Sequence, residues 1–224
     1  MKEIKKYLKM FEEQIKPNFR NASFDFCYNY FSSHKGNLVG ENLQTSCMQL
    51  WSYLASWGML RGSSQLLQCS PASLKTIIKY INDNPDYEID LTDSEYIKKV
   101  LNLYNDIDHI IEKEFIKRTK NDESQDVQKE RKTLVTKIML GVYACCPAFD
   151  VNFCKTFRTS TIGPLTKKNV QIVVNFYKEH QTFFTDYKKR QTLCFDEYNN
   201  YSRPYSIAKL IDMYGFMAGL GKDK

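Results

Sequence analysis

Apolar residues recur along this chain every three to four positions with charged residues between them, the periodicity of amphipathic helices. Ile4, Tyr7, Leu8, Phe11 and Ile15 form the first stripe, and Pro17 closes it. The aromatic stretch Phe24 to Phe31 fits strand or helix; we read helix, with Ser23 as its cap. Leu43, Cys47, Leu50, Trp51, Leu54 and Trp57 mark a heavy buried face. Ser70-Pro71 reads as cap and first residue of a helix carrying Leu74, Ile77, Ile78 and Ile81. Thr92-Asp93-Ser94-Glu95 has capping-box spacing and opens a long helix marked by Tyr96, Ile97, Val100, Leu101, Tyr104, Ile107, Ile111 and Phe115.

Farther on, Thr133 to Cys146 is apolar and helical, and Pro147 ends it or starts its successor. Ala148 to Arg158 predicts a short helix with Phe149, Phe153 and Phe157 on one face, and Lys167 to Arg190 a long one. Ser202-Arg203-Pro204 predicts the start of the last helix. No period-two segment, hairpin dipeptide or internal repeat is visible. The expected fold is therefore all-α, a multi-helix globular domain of about eight to ten helices. It takes residues 1–224 as one domain, and the polar stretch 118–132 is the place for a mobile segment.

Composition narrows this picture modestly. Hydrophobic residues are 42% and charged residues 26% of 224, which excludes wholesale disorder. The formal charge of +6 permits an anionic partner without demanding one. No stretch approaches the ~20 apolar residues of a membrane span; the apolar run from Ile207 to Leu220 is interrupted by Lys209 and Asp212. The first residues carry no apolar signal-peptide core. Seven cysteines without Cys-x-x-Cys spacing predict reduced, mostly buried thiols in a cytoplasmic protein with no metal and no cofactor. The 14% aromatic share falls mostly on helical stripes, so it reports a core before it reports a stacking platform for nucleic acid.

Two places carry candidate chemistry. In Trp57-Gly58-Met59-Leu60-Arg61-Gly62-Ser63-Ser64, glycines expose backbone N–H groups and Arg61 offers a fork for phosphate or carboxylate, with Ser63 and Ser64 as hydroxyl donors. The same residues also suit a tight helix junction, with Arg61 bonded locally. The second is Cys145-Cys146-Pro147-Ala148-Phe149-Asp150, where a buried helix delivers a carboxylate to the start of the next helix. His34, His109 and His180 cannot be paired with a cysteine by spacing, and they read as surface or core-edge histidines.

Residues 133–153 resemble helix-hairpin-helix DNA glycosylases and their relatives, which place an Asp after a Pro at a helix start. The resemblance implies that Asp150 activates a nucleophile or stabilises positive charge on a sugar. The family's Gly-x-Gly hairpin is absent upstream, and Lys132 and Lys137 are the nearby amines for phosphate or base. Two expectations follow. One is a non-catalytic interaction or regulatory module with an anionic or protein partner near Arg61. The other is a DNA-acting enzyme with Asp150 as its catalytic carboxylate.

Overall fold

The amphipathic stripes fold into ten α-helices, and no β-strand forms among the described residues. The computed structural model describes residues 1–61, 65–85, 89–115, 126–187, 190–196 and 202–221. In chain order the helices are α1 (Lys2–Glu12), α2 (Ser23–Ser33), α3 (Leu43–Ser56), α4 (Lys75–Asp83) and α5 (Tyr96–Phe115). They continue with α6 (Asp126–Tyr143), α7 (Val151–Phe157), α8 (Lys167–Glu179), α9 (Gln181–Tyr187) and α10 (Ile207–Leu220). Short 3-10 turns precede α2, α3 and α4.

Each stripe buries what its spacing dictates. Helix α1 hides Ile4, Leu8 and Phe11, and α4 hides Ile77, Ile78 and Ile81. Each such side chain contributes roughly 2 kcal/mol of transfer free energy before chain entropy is counted. Helix α10 differs, because 12 of its 14 residues are buried, Lys209 and Asp212 among them. It is the central helix, packed on α7 and α1. Gly219 allows this: a Cβ there would collide with the backbone of Asn152 on α7. Gly215 likewise makes room for the Phe153 ring.

Several helix boundaries depart from their sequence signals. Ser23 does not cap α2; the preceding 3-10 turn (Arg20–Ala22) runs straight into the helix, and Ser23 lies inside it. Thr92 and Glu95 form no capping box: Thr92 donates to Asp90, and Asp93 accepts from the Glu95 N–H and pairs with Lys99. Pro147 does not start a helix, because Pro147 to Phe149 are non-helical and Asp150, with an extended backbone, is the N-cap of α7. The helix expected from Lys167 to Arg190 breaks at His180, which turns the fully buried Phe184 back onto Phe176 with ring centroids 5.9 Å apart. Ser206, not Ser202, caps α10, accepting from the Lys209 N–H at 3.0 Å. Before it, Gln191 and Pro204 form an isolated antiparallel bridge.

The polar stretch 118–132 divides. Residues 118–125 lie outside the described residues, and 126–132 form the first turns of α6. Cys27, Cys47, Cys145, Cys146 and Cys154 are buried thiols, and burial pushes Cys145 up to about 12. No described helix is long and apolar enough to cross a membrane.

Candidate functional site

Three local structures meet at one cleft. The first is the end of α3, where Gly58 takes a left-handed backbone (φ +74°). Its N–H bonds the Ala55 carbonyl and the Met59 N–H bonds the Leu54 carbonyl, both at 2.9 Å. This is the double bond of a glycine-terminated helix, and Leu54 and Met59 are buried beside it. Arg61 curls back over the turn, and its Nε donates to the Gly58 carbonyl at 2.9 Å.

The second is the non-helical segment from Pro147 to Phe149, fixed by hydroxyls of α6. Thr136 accepts from the Phe149 N–H and Thr133 donates to the Phe149 carbonyl, each at 3.0 Å. That anchoring delivers Asp150 one helical turn farther along α6, beside Lys137. Asp150 Oδ1 accepts from the Phe153 N–H at 3.0 Å, and Oδ2 lies 3.3 Å from Lys137 Nζ. The side chains are 16% and 5% exposed, respectively. Asp150 thus caps its helix and also faces a concavity.

The third is an aromatic corner. The rings of Trp57 and Phe216 meet perpendicularly at 5.4 Å, and Phe11 lies parallel to Trp57 at 6.3 Å. The Arg20 guanidinium sits 5.5 Å from the Trp57 ring and 5.9 Å from that of Phe216. Lys137 Nζ stands 5.1 Å from the same indole. Such cation–ring contacts hold a charge in place without neutralising it. The indole N–H is buried and has no hydrogen-bond partner among the described residues.

Together these elements enclose about 700 Å³, larger than two other concavities of about 370 and 260 Å³. Arg61 and Asp150 line the same cleft, with Arg20, Lys137 and Lys155. Among the described lining residues four are cations and one, Asp150, is a carboxylate. Arg20 and Arg61 both line the cleft, and neither forms an ion pair with a described residue.

The remaining sequence candidates fall elsewhere. Lys132 is not among the cleft-lining residues. It is buried, its Nζ donates to the Ile162 carbonyl at 3.2 Å, and desolvation lowers its pKa. Ser63 and Ser64 lie outside the described residues. His109 is exposed, His34 stacks on Tyr30, and His180 meets Phe176 edge-on. No group of three or more metal-ligating side chains clusters among the described residues. Arg20 and Lys155 have no motif around them, and sequence reasoning had no signal for them. No family model matches the chain, and no curated protein or solved structure is similar to it.

Proposed function

We propose that this protein is a binding module whose cleft takes an anionic partner through Arg61 and Arg20, with a nucleic-acid phosphate as the best-fitting anion. The observation that supports the reading is the convergence of Arg20, Arg61 and Lys137 on one concavity whose described lining holds a single carboxylate. Guanidinium forks match phosphate oxygens bidentately, and a cleft with low-dielectric walls focuses the field of its charges. The buried thiols fit the reducing, cytoplasmic setting assumed in this reading.

The test is fluorescence anisotropy of labelled single- and double-stranded oligodeoxynucleotides over a salt series. Binding should weaken as salt rises, and Arg61→Ala or Arg20→Ala should lower the magnitude of the log–log slope by about 1 each. Melting temperature should hardly move. A large loss of stability in Arg61→Ala with no change in binding would instead make Arg61 a junction residue. Capture of acidic peptides in preference to oligonucleotides would favour the protein partner.

A second reading, a DNA-acting enzyme of glycosylase-like architecture, is favoured by one specific contact. Asp150 opens on a basic cleft with the Lys137 amine 3.3 Å away. A carboxylate held in place by a backbone N–H and a lysine is positioned to stabilise positive charge developing on a sugar. In this reading water displaces the base from the sugar carbon, and Asp150→Ala abolishes base release while DNA is still bound. Base release that persists in Asp150→Ala would remove that role.

A further inference from the structure

The cleft is backed by a second lysine–carboxylate pair that does not line it. On α10, Lys209 Nζ lies 2.9 Å from Asp212 Oδ2, with side chains 1% and 9% exposed. Desolvating two charges costs several kcal/mol per ion in real interiors, and well-packed apolar replacements of such pairs are often neutral or stabilising. The pair's presence therefore calls for a role other than stability. Its contacts supply one.

Asp212 Oδ1 accepts from the Ala148 N–H at 3.0 Å, two residues before Asp150. Lys209 Nζ lies 5.6 Å from the centroid of the Trp57 ring, which Lys137 approaches at 5.1 Å. The contacts close a circuit: Asp150, Lys137, the Trp57 ring, Lys209, Asp212, then the Ala148 backbone leading again to Asp150. Phe11 and Phe24 flank the Lys209 ammonium at 4.9 and 4.4 Å, which confines it beneath the indole. The buried Asp25 is the further acid whose charge Lys209 feels. Two walls of the cleft, from α3 and from the Pro147–Asp150 segment, are thus tied to one buried charge pair on α10.

We infer that Lys209 and Asp212 are positioning residues, a buried ion pair that sets the Trp57 wall and the Asp150 carboxylate of the anion-binding cleft. The inference rests on the cleft being the binding site proposed above. Binding constellations depend on supporting groups that lock the residues in contact with ligand, and loosening them lowers affinity without necessarily unfolding the protein.

The experiment uses the full chain carrying Trp51→Phe, so that Trp57 is the sole indole. Emission is compared with and without Lys209→Met plus Asp212→Leu, and quenching by iodide is compared with quenching by caesium. The double replacement removes both buried charges but leaves the Ala148 N–H without its acceptor, so it is expected to fold and to melt a few degrees below its parent. Its Trp57 emission maximum should shift, iodide quenching should fall about twofold, and oligonucleotide affinity should drop about tenfold. A folded double variant with unchanged emission and quenching overturns the inference. Should that double variant not fold, Lys209→Met plus Asp212→Asn decides. It keeps an acceptor for the Ala148 N–H and leaves no unpaired buried charge, so the indole signal should move while the melting point stays near that of its parent, and an unmoved signal overturns the inference. A parent protein quenched no better by iodide than by caesium would overturn the cationic-cleft reading instead, and the emission comparison would still decide the positioning role.

Discussion

Asp150 and Asp25 are built from the same parts and end in opposite situations. Each accepts one backbone N–H, from Phe153 at 3.0 Å and from Leu193 at 2.8 Å. Each has one further donor: Lys137 for Asp150, and the Tyr205 hydroxyl at 2.7 Å for Asp25. The difference is water and charge. Asp25 is 1% exposed, with a hydroxyl where Asp150 has an ammonium group, and burial raises it to about 6 despite both hydrogen bonds and the charges of Lys209 and Arg190. Asp150 keeps a cation and an opening to solvent. A carboxylate closed into the core organises the fold; the same group at a cleft edge is available to a ligand.

Removing each carboxylate is the strongest way to break that contrast. Asp25→Ala leaves the Tyr205 hydroxyl and Leu193 N–H buried without acceptors, and is expected to cost about 4 kcal/mol in urea unfolding. Asp150→Ala removes one helix cap and should cost about 1 kcal/mol. Equal losses would show that Asp150 is as structural as Asp25.

The contrast also has a pH signature. The folded pKa of Asp25, about 6, lies above its ordinary 3.8. Its contribution is therefore fully present below pH ~4 and lost as pH rises through ~6, because the unfolded chain releases the proton first. The stability of the wild type relative to Asp25→Asn should fall by roughly 3 kcal/mol over that window. A flat difference between the two profiles would show that Asp25 is ionised throughout.

The smallest effect sharpens the comparison at the cleft. Asp150→Ala deletes the single carboxylate among the lining residues and releases Lys137, so simple oligonucleotide binding should tighten by about threefold at low salt. If binding weakens instead, Asp150 touches the ligand directly.

Much of this architecture was legible from residue spacing. The stripes of α1, α4 and α5 are local periodicities, and the structure buries most of the described residues they mark, with Tyr7, Ile97 and Leu101 half-buried at the core's edge. Legibility failed where a tertiary contact outweighed a local signal. Thr92 had the spacing of a cap, but Asp93 takes the Glu95 N–H. The stripe from Lys167 to Tyr187 ran on as one helix in sequence, but packing of Phe184 against Phe176 goes with a break at His180. One signal was visible without its meaning: Lys209 and Asp212, three residues apart inside an apolar run, mark an ion pair with no water to face.

The sequence alone determined an all-helical chain, because helix periodicity is written in neighbours three and four residues apart. It also singled out Arg61 and Asp150 by their turns, since glycine, proline and acidic residues act on the backbone next to them. The tertiary structure decided that these two line one cleft, that Arg20 and Lys155 join them, and that Lys132 turns away to the Ile162 carbonyl. The site is drawn from positions 20 to 220, and nothing local relates its segments to one another. Their meeting follows from how α3, α6, α7 and α10 pack, with Gly219 setting how closely α7 approaches α10.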